Sequence, residues 1–193
     1  MGGAAMKEPK DNEVRRSEFI DAAEKLFREN GIVDTTVNSI VKELDVAKGL
    51  FYYYFKSKDD VIEAISEKYN RDFKQAIQRS LDPSNDFEDR LNGFLENTIV
   101  SFRTLWDNLQ GKNETIDLTI LSTRSLDEAK QTASEKLSEL LKEGNELKRM
   151  NIPNPEYFAK MIVSGIADLA GQAESDLREI KKMIDELIGK AGK

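Results

Sequence analysis

The chain has 193 residues with no cysteine and no histidine, so it holds no disulfide and no thiolate or imidazole metal site. It also lacks the side chains most often used as nucleophile or general base. Hydrophobic residues make up 39% and charged residues 34%, with four prolines and eleven glycines, a balance that favours helices in one or two globular domains. The formal charge of −7 is uneven: residues 1–58 carry 10 basic and 10 acidic side chains, so residues 59–193 carry all of the excess.

No run of about 18 apolar residues exists, and the N-terminus lacks the basic, apolar and cleavable segments of a secretory signal, so a cytoplasmic location is expected. Residues 1–13, beginning Met1-Gly-Gly-Ala-Ala-Met6, read as a disordered leader or tag remnant. No cofactor and no metal is expected.

A first helix is predicted over about 12–30, where Phe19, Ala22, Ala23, Leu26 and Phe27 recur on one face and Asn30-Gly31 supplies a left-handed stop. A second follows Thr35-Thr36, whose hydroxyls suit a cap, with Ile40, Val41 and Leu44 facing inward. Asp45-Val46-Ala47 reads as a turn and about 48–54 as a third, short helix. Ser57-Lys-Asp-Asp60 has the form of a capping box and opens a fourth helix, whose stripe of Val61, Ile62, Ile65, Tyr69, Phe73 and Ile77 ends near Leu81.

Asp82-Pro83-Ser84-Asn85 interrupts the pattern and is the expected domain boundary. Beyond it, helices are predicted at about 87–110, 114–122, 125–150, 155–173 and 175–189, making about nine in all. The predicted fold class is all-α: a helix-turn-helix domain over 14–60, a linking helix to about 81, and a second helical domain over 82–193.

The third helix carries the chemistry. It is too short to be stable alone, so Phe51 and Phe55, four apart, must anchor it on its neighbours while the other faces point outward. Lys48 puts a cation near its N-terminal end, where the helix dipole also favours phosphate. Gly49 lowers helix propensity by about 1 kcal/mol relative to alanine, which a close backbone approach to a sugar-phosphate chain would justify. Tyr52, Tyr53 and Tyr54 offer hydroxyls for phosphates and rings for thymine methyls, and Thr36 and Lys58 are placed to clamp adjacent phosphates. Packing alone is the competing use of a tyrosine run on a helix.

At these residues the chain resembles the TetR (tetracycline-repressor) family of regulators. The likeness begins at Arg16 and passes through Ala22-Ala23, Phe27, Gly31, Thr35-Thr36, Ile40, Val46, Lys48-Gly49, Tyr52, Tyr54-Phe55 and Ser57-Lys58. It implies a ligand-responsive, homodimeric repressor of a palindromic operator. Thr36, Tyr52 and Lys58 become phosphate contacts and Gly49 the close-approach residue, while Asn38, Ala47, Lys48, Leu50 and Tyr53 occupy positions that face base edges. Two departures affect the operator sequence: Leu44-Asp45 stands where the family usually has Ala-Gly, and Ala47 where Ser or Thr is common.

The resemblance also implies an effector site among the C-terminal helices. Plain core packing is the alternative for the aromatic stripe Phe94, Phe102 and Trp106. Asn97, Ser101, Arg103 and Asp117 interrupt the apolar faces and are the polar candidates; Asp117 would suit a cationic ligand and Arg103 an anion. The last two helices, about 155–189, carry more apolar surface than one helix pair needs; internal packing and two-fold pairing are equal uses of it by composition, and the resemblance favours pairing. The rival classes are a helical protein-interaction module, an activator of the same family, and an enzyme, for which no paired carboxylates stand out.

Overall fold

A computed structural model describes residues 12–111 and 117–191, and among these residues every regular element is a helix. Eight α-helices follow in order: α1 (Asn12–Asn30), α2 (Val37–Glu43), α3 (Lys48–Tyr54), α4 (Lys58–Gln78), α5 (Phe87–Asn108), α6 (Thr119–Glu146), α7 (Pro155–Ala170) and α8 (Leu177–Ala191). A single 3-10 turn, Arg79–Leu81, extends α4. The expected leader falls mostly outside the described residues; Asn12 and Glu13 already belong to α1.

The chain divides into two compact units. Residues 12–65, with Gly111, Asp117 and Leu118, form the first; residues 66–110 and 119–191 form the second. The division falls within α4, at Ile65 and Ser66, whereas the break at Asp82-Pro83 lies inside the second unit.

In the first unit, local chemistry explains each helix end. Gly31 adopts φ 87° and its N–H donates to the Phe27 carbonyl at 2.8 Å, closing α1. Thr35 is buried and its hydroxyl donates to the Gly31 carbonyl at 2.8 Å and the Leu26 carbonyl at 3.2 Å. Thr36 caps α2 reciprocally with Ser39: the Ser39 N–H donates to Thr36 Oγ1 at 3.1 Å and the Thr36 N–H donates to Ser39 Oγ at 2.9 Å. The core consists of Phe19, Ala23, Phe27, Ile40, Phe51, Val61 and Ile65, all fully buried, and Phe55 beside them.

The second unit is built around α5 and α6. Asp86 caps α5 by accepting the Asp89 N–H at 2.9 Å, and Phe94, Leu95 and Phe102 are buried along that helix. Phe102 meets Phe73 of α4 edge-on at 4.9 Å. Arg90 and Glu143 form a two-pronged ion pair between α5 and α6, one arm at 2.9 Å. The Asn145 side chain bridges the N–H and carbonyl of Ile152 at 2.8 Å each, fixing the turn into α7, where Asn154 caps and Pro155 takes the first helical position.

One expected element changes. Helices at about 114–122 and 125–150 were predicted, but Thr119 through Glu146 is one continuous helix, and residues 112–116 lie outside the described residues. The reason is simple: Thr123 and Arg124 contain neither proline nor glycine, so nothing at that point interrupts the hydrogen-bond ladder. No described helix is long and apolar enough to cross a membrane.

Candidate nucleic-acid interface

The helix α3 is held by a cluster of aromatic rings. Phe51 is wholly buried and stands edge-on to Phe19 at 5.8 Å; Phe55 lies 5.7 Å from Phe51 and 6.3 Å from Phe19. Such pairs each add about 0.5–1.5 kcal/mol to area burial, enough to hold a two-turn helix in place. The Arg16 guanidinium lies 5.1 Å above the Phe55 ring, so this arginine covers the cluster from outside.

The three tyrosines divide between two roles. Tyr54 is half-buried against Phe19 at 5.8 Å, and its hydroxyl donates to Asn12 Oδ1 at 3.1 Å. Tyr52 and Tyr53 turn outward, 51% and 69% exposed. Lys48 is exposed with its ammonium 5.9 Å from the Tyr52 ring, and Leu50 is half-buried. Gly49 is exposed, and a methyl group placed on its Cα would meet no atom within 4 Å. Cation, bare backbone and two phenols therefore share one uncovered face.

The start of α3 is unusual. Ala47 sits at the N-cap with no side chain able to accept a hydrogen bond; its carbonyl takes the Leu50 N–H at 2.9 Å, and no side chain caps the Lys48 and Gly49 N–H groups. Just before it, Asp45 adopts φ 51°, the left-handed position of a helix-ending motif. The Val46 N–H donates to the Val41 carbonyl at 3.0 Å, and the Asp45 N–H to the Lys42 carbonyl at 3.2 Å. The family-like glycine would satisfy this geometry without strain; aspartate does so at some expense, since its Cβ crowds the backbone there.

Thr36 and Asn38 are exposed at the start of α2, on the same unit. Lys58 is more constrained than its sequence position suggests. Its ammonium donates to the carbonyls of Ile32 at 2.6 Å and Thr35 at 2.9 Å, with Val33 at 3.5 Å, so it holds the turn between α1 and α2. Asp60 secures the opposite side of the α4 start by accepting the Lys56 N–H at 2.7 Å and the Ser57 hydroxyl at 3.0 Å. These hydrogen bonds, the Lys56 N–H first, hold its carboxyl below the usual carboxylate range. None of this linkage through Lys58 was legible without coordinates, because carbonyl acceptors leave no mark in a sequence.

The C-terminal candidates are not drawn together. Phe94 and Phe102 are wholly buried, and Ser101 borders a groove of about 160 Å³ between α4 and α5 with Tyr69 and Thr104. Asn97 is half-buried on α5. The Trp106 indole N–H donates to the Ala167 carbonyl at 2.8 Å and its ring lies so close to Gly171 that a Cβ there would sit 2.5 Å from it. Arg103 donates to the Gln172 carbonyl at 2.8 Å, pinning the turn between α7 and α8. Asp117 belongs to the first unit.

Comparison with known proteins converges on the same residues. The family model for bacterial regulatory proteins of the tetR family matches residues 19–65. The HTH-type transcriptional regulator HbdR of Aromatoleum sp. (strain CIB) is 37% identical over 79 residues, 41% of this chain and 34% of that protein. BetI of Stenotrophomonas maltophilia (strain R551-3) is 31% identical over 84 residues, 43% of each. The match thus spans about a third to a half of these relatives. Two solved structures extend the likeness in fold across both units. The transcriptional regulator from Cytophaga hutchinsonii is 24% identical with a TM-score of 0.65, covering 93% of this chain and 96% of that one. SmeT, the repressor of the Stenotrophomonas maltophilia multidrug efflux pump SmeDEF, is 20% identical with a TM-score of 0.67, covering 91% and 89%. Residues 19–65 thus match the helix-turn-helix domain of bacterial regulatory proteins of the tetR family, and the all-helical fold that carries them is shared with solved transcriptional regulators.

Proposed function

We propose that the protein is a DNA-binding transcriptional regulator that acts as a homodimeric repressor, each protomer laying α3 in the major groove of a palindromic operator. The observation that carries this reading is the outward face of α3: Lys48, Gly49, Tyr52 and Tyr53 are all exposed while Phe51 and Phe55 hold the helix from behind. The uncapped N–H groups after Ala47 suit a phosphate, since a helix N-terminus is an anion site. Thr36 and Tyr52 take backbone phosphates, and Lys58, whose ammonium is already bonded to backbone carbonyls, adds positive charge beside them; Asn38, Ala47, Lys48, Leu50 and Tyr53 face base edges; Gly49 lets the chain come close.

Dimerisation through α7 and α8 is supported by their uncovered apolar side chains. Tyr157 and Met161 are 66% and 69% exposed on α7, and Met183 and Leu187 are 47% and 50% exposed on α8, four residues apart in each case. Two such faces packed about a two-fold axis bury one another and set half-sites about 34 Å apart. A small molecule bound in the second unit then releases the operator, and DNA must weaken that molecule's binding by the same factor. SmeT, which shares the fold, is known in a complex with triclosan.

The test is a gel-shift with DNA from upstream of the protein's own gene, titrated with salt. Phosphate clamping predicts an affinity that falls by orders of magnitude between about 50 and 200 mM salt. Retention indifferent to salt, or no retention at all, overturns the reading and favours a protein-interaction module.

A further inference from the structure

Beside the exposed apolar residues of α7, and apart from the sequence-derived effector candidates, α6 and α7 line a second feature. The two helices pack together, and Ala129 and Ala133 of α6 and Ala159 and Ala167 of α7 are fully buried. Side chains of both helices line a cleft of about 630 Å³. That volume is typical of a small-molecule site. Every side chain lining it carries a polar or charged group.

The floor holds the decisive group. Ser134 and Ser138, one turn apart on α6, are 8% and 5% exposed, and the Ser138 hydroxyl has no hydrogen-bond partner. An unpaired buried hydroxyl is destabilising, whereas alanine would fit the same helix without that penalty. The walls are otherwise self-satisfied: Lys130 pairs with Asp168 at 2.9 Å, Lys160 with Glu156 at 2.8 Å, Glu139 with Lys136 at 2.8 Å, and Gln131 donates to Glu135 at 3.0 Å. Lys142, one turn beyond Ser138, makes no ion pair among the described residues. The Glu156 carboxyl is held below its usual range first by its hydrogen bond from Lys160, with the charge of Lys142 contributing least.

We infer that this cleft is a binding site for a small hydroxylated carboxylate, its anionic end on the Lys142 ammonium and its hydroxyls bonded to Ser138 and Ser134. The carboxylate supplies the charge Lys142 lacks, and the ligand hydroxyls supply the partner Ser138 lacks. A cation is disfavoured because each glutamate in the cleft already has a donor.

The inference concerns the second unit alone and its assays contain no DNA, so its failure and the failure of the DNA-binding reading are separate results. The probes are sodium gluconate and sorbitol, which share a six-carbon polyol chain but not a carboxylate, at matched ionic strength. Gluconate should bind by calorimetry and raise the melting temperature, with sorbitol weaker by about tenfold or more. Ser138→Ala should melt above the parent in the absence of ligand and lose about tenfold or more in gluconate affinity. Lys142→Gln should leave the free protein's melting unchanged and erase the preference for gluconate over sorbitol. A Ser138→Ala protein that melts lower would mean the hydroxyl is bonded within the protein, which overturns the inference. So would absence of gluconate binding, or variants that change the sedimentation coefficient, which would make the cleft an interface between copies.

Discussion

Gly49 separates a structural from a functional use of glycine. It is the second residue of α3, its backbone does not adopt positive φ, and a methyl on its Cα meets no atom within 4 Å. Nothing in the free protein therefore requires glycine. Helix propensity favours alanine by about 0.5–1 kcal/mol in a helix interior, and by the lower end of that range so near the N-terminus. Gly49→Ala should thus raise the melting temperature by about 1–2 °C in a chain of this size.

On DNA the sign reverses. If the Gly49 backbone lies against the sugar-phosphate chain, the added methyl must displace it, an overpacking penalty of about 1–3 kcal/mol at each of two heads. Operator affinity should therefore fall by at least about tenfold. Thermal melting gives the first quantity and fluorescence anisotropy with labelled operator the second. A variant that is more stable and binds equally well would refute the close-approach argument; a variant that is less stable would refute the claim that its site is open.

Three further outcomes follow from other contacts. Asp45→Gly should stabilise the protein by about 1 kcal/mol, because glycine adopts the left-handed φ freely, and should strengthen DNA binding at low salt by removing an anion beside α3. Urea melts and salt-titrated binding check the two halves, and unchanged stability would mean that the Asp45 side chain compensates the strain. Lys58→Met should lower the melting temperature as well as weaken binding evenly across operator variants, since the ammonium holds the carbonyls of Ile32 and Thr35; weaker binding with unchanged melting would show those bonds carry no stability. The Arg90 guanidinium, through its hydrogen bonds, holds the Glu143 carboxyl below its usual range, so the pair's stabilising contribution is full above the unfolded carboxylate pKa of about 4.3 and is lost as pH falls through the lower folded value. Glu143→Gln should therefore flatten the loss of stability below about pH 4.3, measured by denaturant titration, and an unaltered acid limb would exclude this pair as its source.

Much of the fold could be read from the chain because its helices announce their ends. Gly31, Thr36, Ser57, Asp86 and Pro155 are cap and stop residues, and each stands within a residue or two of an observed terminus. The error came where no such residue was present: periodicity alone divided 119–146 into two helices that a continuous backbone ladder joins. The Phe51 and Phe55 anchors followed from spacing as well, since only one face of so short a helix can dock. What escaped was tertiary. Trp106 and Arg103 look alike in sequence to pocket-lining residues, yet each spends its polar hydrogen on a carbonyl of α7 or of the turn that follows it. Ser138 gave no signal at all, because an unpaired hydroxyl differs from a paired one only in three dimensions.

The first unit also shows where local rules yield to function. Within nine residues, Asp45 takes a left-handed φ, Ala47 leaves a helix uncapped, Gly49 weakens that helix, and Tyr52 and Tyr53 expose rings that could have been buried. Elsewhere in the same unit, Thr35, Thr36 and Gly31 obey capping and turn preferences closely. The tight aromatic packing of Phe19, Phe51 and Phe55 is what allows such a helix to persist with so little intrinsic stability, and it does so from the side opposite the exposed residues. A helix selected only for stability would carry a polar cap and alanine at positions 47 and 49. That the unfavourable choices gather on one solvent-facing surface, with a rigid anchor behind them, is the pattern expected when free N–H groups, bare backbone and phenolic hydroxyls are kept available for a partner.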